Sequence, residues 1–190
     1  AGVQGFYQVL FACRVRKVSQ VKVLDLQPEK ADQLCYRLRE VLPQIRVKVV
    51  RTAEDLLEES QIVITATPSL KPVMPDNENL LRGKSYIAIG SYKPEMRELP
   101  EALYCLIDQI LIDTEHGLEE SGDLLTPLER GWIDRGRIVK FGSFLADREK
   151  SIGSSETTLF KSVGMALFDI VVAEKIYKKA LEKGIGTCMD

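Results

Sequence analysis

The chain has 190 residues, 45% of them hydrophobic and 28% charged, with a formal net charge of −2. That is globular composition, with enough chain for one good core. The charge balance makes no electrostatic case for nucleic acid or an anionic membrane, so neither is an expected partner. No apolar run reaches the ~18 residues of a bilayer-crossing helix.

In chain order, the first segment from Phe6 to Arg16 places Phe6, Val9, Leu10 and Cys13 on one stripe and reads as a helix. "QVKVLDL" (20–26) reads as a strand, and Pro28 to Leu42 as a helix with Pro and Glu in its first turn. "RVKVV" (46–50) is a short strand, and Thr52 is placed to cap the helix "AEDLLEES". "QIVITAT" (61–67) and "SYIAIGSY" (85–92) follow as strands, then a short helix near 98–104 and the strand "QILIDT" (109–114). Helical turns are predicted at 115–121 and 126–134, then a last strand "IVKFG" (138–142). A long helix is predicted from Thr157 to Lys183, with Phe160, Val163, Leu167, Ile170, Val171 and Tyr177 as its apolar stripe. Strands that alternate with helices predict an α/β, doubly wound fold with a parallel sheet covered on both sides.

The four cysteines, Cys13, Cys35, Cys105 and Cys188, are at least 22 residues apart. That spacing excludes a C-x-x-C zinc or redox motif and points to reduced cysteines in a cytoplasmic protein. His116 is the sole histidine, and no motif around it supports a metal site or a Ser-His-Asp triad. No metal is expected.

The segment "AGVQG" opens the first helix. With one more glycine it would complete G-x-G-x-x-G, the dinucleotide-binding turn; the bland alternative is a loop with two glycines ahead of a surface helix. In that turn one glycine lets backbone approach a pyrophosphate and another lets helix and strand pack closely. Gly2, Val3, Gln4 and Gly5 are therefore candidate cofactor contacts. Asp25 ends the next strand, 23 residues after Gly2, where an acidic residue accepts hydrogen bonds from the adenosine ribose. A carboxylate there repels a 2′-phosphate, and no Arg or Lys occurs before Lys30, so NAD is favoured over NADP. The alternative is an aspartate that merely ends a strand. The small residues Thr65, Ala66 and Thr67 in "TATPS" would let a cofactor cross the strand ends, or serve only β propensity.

"AGVQG", "TATPS…PVM", "IGSYKPEMREL", "EESGDL" and "TLFKSVGMALFDIVVAEKIY" together resemble the ornithine cyclodeaminase/μ-crystallin family over essentially all 190 residues. The resemblance implies a nicotinamide-dependent oxidoreductase of a small α-amino or α-imino acid, working as a homodimer at full length. It implies a cofactor domain over 1–156, and a helix over 157–190 that returns to a substrate and dimerisation domain. In the family an N-terminal segment supplies that domain and the residues that hold the substrate carboxylate. The chain is thus expected to be a cofactor-domain fragment without its first, central strand, inactive by itself. "QVKVLDL" and "QIVITAT" would then flank the vacant position. Three outcomes are expected there: direct pairing, a strand from another chain, or a strand that belongs to the longer protein.

The resemblance also assigns softer positions. Gly90 and Ser162 fall on the cofactor side, Ser162 as a nicotinamide contact. Glu120 falls on the substrate side. Tyr92 stands where cyclodeaminases place a catalytic aspartate. A phenol with a reference pKa near ~10 replaces a carboxylate poorly, so Tyr92 favours a reductase or dehydrogenase over ornithine cyclisation, and no catalytic residue is assigned. The alternatives are ornithine cyclodeaminase itself and a non-catalytic ligand-binding protein. Lys161 could be a catalytic amine, but a place at a helix start makes it a surface lysine.

Overall fold

The computed structural model describes residues 1–147 and 156–187; Cys188 lies outside them. Helix α1 (Val3–Val15) leads to strand β1 (Gln20–Val23), helix α2 (Pro28–Val41), strand β2 (Arg46–Val49), helix α3 (Ala53–Leu57) and strand β3 (Ile62–Thr65). Helix α4 (Glu78–Leu81), strand β4 (Ser85–Ala88), helix α5 (Glu101–Cys105) and strand β5 (Ile110–Ile112) continue the alternation. Helices α6 (Gly117–Glu120) and α7 (Gly122–Glu129), strand β6 (Ile138–Lys140), helix α8 (Phe141–Ala146), strand β7 (Thr158–Lys161) and helix α9 (Ala166–Lys183) complete it.

Local chemistry accounts for the element boundaries. In α2, Pro28 and Glu29 occupy the first turn, and Ala31, Leu34, Cys35 and Leu38 recur at helical spacing and are buried. Leu34 and Leu38 each contribute roughly 1.5–3 kcal/mol when fully buried. Thr52 caps α3 as expected, its hydroxyl accepting from the Asp55 N–H at 3.0 Å.

Every strand pairing is parallel. β1 and β2 form a two-stranded sheet, and a five-stranded sheet runs β3-β4-β7-β5-β6. Each sheet has its own apolar cluster. One gathers Phe6, Val21, Leu38 and Val47; the other gathers Leu57, Tyr86, Leu103 and Ile110.

β1 and β3 belong to different sheets, so direct pairing does not occur. A cleft of about 760 Å³ lies between them, lined by both strands and by the Gly5, Val9 and Ala12 face of α1. Lys22 on β1 ties the smaller sheet to α3, donating to the carbonyls of Asp55, at 2.7 Å, and Glu58.

The predicted helix from Thr157 is corrected at its start. Residues Thr158–Lys161 form β7 in the middle of the larger sheet, with Leu159 and Lys161 buried on alternate positions. Gly164, at φ +82°, then breaks the chain direction before α9 begins at Ala166. Phe160 therefore sits on a strand, its ring edge-on to Phe141 with centroids 5.3 Å apart. The remaining stripe residues on α9, Leu167, Ile170, Val171 and Tyr177, are exposed. The turns predicted at 126–134 also begin earlier, as α7, where Ser121 accepts from the Asp123 N–H and starts the helix.

Candidate functional site

Parallel strands bring their carboxyl ends to one edge of a sheet, where ligands of doubly wound folds bind. Asp25 follows β1. Thr65 ends β3 and Ala66 and Thr67 follow it, Gly90 and Tyr92 follow β4, Asp113 follows β5, and Ser162 follows β7.

At the first helix, Gly2 is the N-cap in extended backbone, with no side-chain cap and no acidic residue in the first turn. Gly2, Val3 and Gln4 are exposed and Gly5 is half-buried. The first-turn N–H groups have no partner within a helix and, with the helix dipole, form an anion site. A Cβ on Gly2 or Gly5 would meet nothing within 4 Å. The close helix–strand packing expected of Gly5 is thus not made within the described chain; Gly5 faces the cleft between β1 and β3. The half-buried Asp25 accepts from the Gln27 N–H at 2.9 Å through Oδ1, and its Oδ2 lies against the backbone nitrogen of Ala1. The glycine turn and the carboxylate therefore adjoin.

The ends of β3 and β4 are fastened by a residue that sequence reasoning missed. Glu98 is fully buried. Its Oε2 accepts from the Thr65 hydroxyl at 2.9 Å and the Gly90 N–H at 2.8 Å. Its Oε1 accepts from the Thr67 N–H at 2.7 Å and the Thr67 hydroxyl at 2.8 Å. Gly90 is required here by space. A Cβ would stand 2.2 Å from the Thr67 nitrogen and 2.3 Å from its oxygen.

A second buried carboxylate backs this clamp. Asp123 Oδ1 accepts from the N–H groups of Glu98 and Leu99 at 2.8 and 3.0 Å. Its Oδ2 has no hydrogen-bond partner among the described residues and lies 3.6 Å from Lys161 Nζ. Burial pushes the Asp123 carboxyl up to about 6, against the pull of the Lys161 ammonium. Burial likewise lowers Lys161, against the raising effect of Asp123 and Glu98. Lys161 is 1% exposed and donates to the Ser91 carbonyl at 2.7 Å. It is not the surface lysine expected from a helix start, because its segment is a central strand.

The substrate-side candidates lie on neighbouring loops. Tyr92 is 52% exposed and Glu120, at the end of α6, is exposed. The residues beside them, Ser91 and Ser121, meet hydroxyl to hydroxyl at 2.8 Å, which joins the two loops. Ser162 is half-buried and donates to Asp113 Oδ2 at 2.6 Å, and the Gly164 N–H donates to the same oxygen at 2.9 Å. Asp113 thus orients the turn after β7. Among the described residues there is no cluster of metal-ligating side chains and no helix long and apolar enough to cross a membrane.

The chain is 32% identical over 186 residues to a Δ1-pyrroline-2-carboxylate reductase of Bacillus cereus, covering 96% of this chain and 56% of that protein. The structure of Thermococcus litoralis Δ1-pyrroline-2-carboxylate reductase in complex with NADH and L-proline superposes with a TM-score of 0.90 at 33% identity, covering 100% of this chain and 58% of the other. An archaeal alanine dehydrogenase dimer with bound NAD gives a TM-score of 0.83 at 27% identity, covering 100% and 58%. The chain spans little more than half the length of these relatives. Its residues 1–184 match the ornithine cyclodeaminase/mu-crystallin family, and the chain belongs to that family.

Proposed function

We propose that the whole protein is a NAD(H)-dependent oxidoreductase that reduces a small α-imino acid, in the manner of a pyrroline-2-carboxylate or ketimine reductase. The observation that carries this reading is the juxtaposition of the bare glycine turn of α1 with Asp25. The turn offers backbone N–H groups to a pyrophosphate, and the carboxylate offers acceptors to a ribose. The residues fit a dinucleotide. The first turn carries no acidic side chain, and the space above Gly2 is open. When bound, the nicotinamide supplies the hydride. The chain's own residues bind and orient. Gly2, Val3, Gln4 and Gly5 face the phosphates, and Asp25 the ribose. Thr65, Ala66, Thr67 and Gly90 shape the strand ends, and Ser162, held by Asp113, borders the nicotinamide side.

Tyr92 and Glu120 rim the substrate side. With a phenol at 92, no carboxylate stands on that loop position to move protons at a substrate nitrogen, which supports reduction over ornithine cyclisation. The residues that hold the substrate carboxylate are assigned to the part of the relatives' length that this chain does not span. The exposed apolar residues of α9 support a homodimer at full length, with α9 covered by the substrate and dimerisation domain. The thiols of Cys13, Cys35 and Cys105 are free, which supports a cytoplasmic location.

Paired titrations test the cofactor assignment. The full-length protein is expected to bind NADH more tightly than NADPH, and Asp25→Ser to narrow the difference by removing the charge that repels a 2′-phosphate. A tenfold preference of the wild type for NADPH, about 1.4 kcal/mol in the wrong direction, would refute the role given to Asp25.

A further inference from the structure

We infer that Glu98 is a positioning residue for the nicotinamide half of the cofactor: it sets the β3 and β4 strand ends as one unit, and β4 pairs with β7, which leads into Ser162, whereas Asp25 follows β1 in the other sheet. The inference rests on the NAD(H) reading above. Glu98 itself is assigned no contact with the ligand; it acts through the cofactor-side residues Thr65, Thr67 and Gly90. Two of its four donors are backbone N–H groups from the ends of different strands, and the other two are hydroxyls. An ionised carboxylate is acceptor-only, with lone pairs enough for all four.

Two consequences follow for the site. The Thr67 and Gly90 N–H groups are consumed by Glu98, so neither is free to donate to the ligand. The loop spacing is also fixed from both sides. Glu98 draws Thr67 and Gly90 together, and the missing Cβ of Gly90 allows the approach. Asp123 holds Glu98 in turn, through its backbone N–H.

Glu98→Gln separates this role from generic packing. The amide keeps the shape but offers one oxygen and one NH2 group. Each Glu98 oxygen serves one backbone N–H. Whichever way the amide turns, its NH2 opposes one of them. The threonine hydroxyls can rotate to accept; a backbone N–H cannot. One strand end must therefore move.

The test is binding by the full-length protein of two ligands, NADH and ADP-ribose, which shares the adenosine and pyrophosphate half but lacks nicotinamide. The expected result for Glu98→Gln is a tenfold or larger loss of NADH affinity with less than a threefold change for ADP-ribose. Thr67→Val, which removes one hydroxyl donor and leaves the carboxylate, is expected to show the same split in milder form, and supplies the readout if Glu98→Gln does not fold. Equal losses for both ligands, or no loss for either, would overturn the positioning role. A wild type that binds neither ligand would instead overturn the NAD(H) reading, and this inference with it.

Discussion

Asp123→Asn is expected to lower the stability of the protein by about 3–5 kcal/mol, the cost of breaking a buried ion pair. The substitution keeps one oxygen for the Glu98 and Leu99 N–H groups, removes the charge and turns an NH2 group toward Lys161. What remains is the Lys161 ammonium, 1% exposed, with the Ser91 carbonyl as its hydrogen-bond acceptor. For a chain of this size each kcal/mol moves the melting temperature by roughly 2–4 °C, so a drop on the order of 10 °C is expected in a thermal scan. The double variant Asp123→Asn/Lys161→Met removes the stranded cation and is expected to recover part of the loss, since residues in contact do not add independently. A double variant as unstable as the sum of the two single changes would show that the pair is not coupled.

Gly90→Ala carries the second large expectation. The obstruction is backbone, because the added Cβ would fall 2.2 and 2.3 Å from the nitrogen and oxygen of Thr67. No rotamer change relieves it, so the ends of β3 and β4 must separate and the Glu98 clamp with them. Overpacking of this kind costs about 1–3 kcal/mol, and NADH affinity is expected to fall tenfold or more as the strand ends move. Gly131→Ala is the control for stability alone: it adds a Cβ where nothing lies within 4 Å, at a positive φ of 70° and away from the strand ends. It is expected to destabilise without changing NADH affinity. Unaltered stability and NADH binding in Gly90→Ala would contradict the close approach of the two strand ends.

Much of the fold was legible locally. The cap at Thr52, the proline start of α2 and the Val-rich strands are signals a short window carries, and they predicted elements that form. The stretch from Thr157 was misread because Leu, Phe, Val and Ala serve helix and strand alike over four residues. What decides it is the place between β4 and β5 that β7 fills, a long-range fact. The site divides in the same way. Gly2 and Asp25 were singled out because their spacing across α1 and β1 is itself a signal. Glu98, Asp123 and Lys161 were not. Each looks like a solvated charge in sequence, and its burial arises where segments 25 to 70 residues apart meet. The apolar neighbours Met96 and Leu99 around Glu98 were the one local hint that its segment faces inward.

The central claim is that this fold serves NADH-dependent reduction of an imino acid. It is tested most directly by following NADH absorbance with the full-length protein and Δ1-pyrroline-2-carboxylate. The expected result is steady NADH consumption that yields proline, weaker with NADPH and diminished in Asp25→Ser when NADH is limiting. NADH binding without consumption across cyclic and acyclic imino acids would contradict the reductase assignment and leave a ligand-binding protein on the same fold.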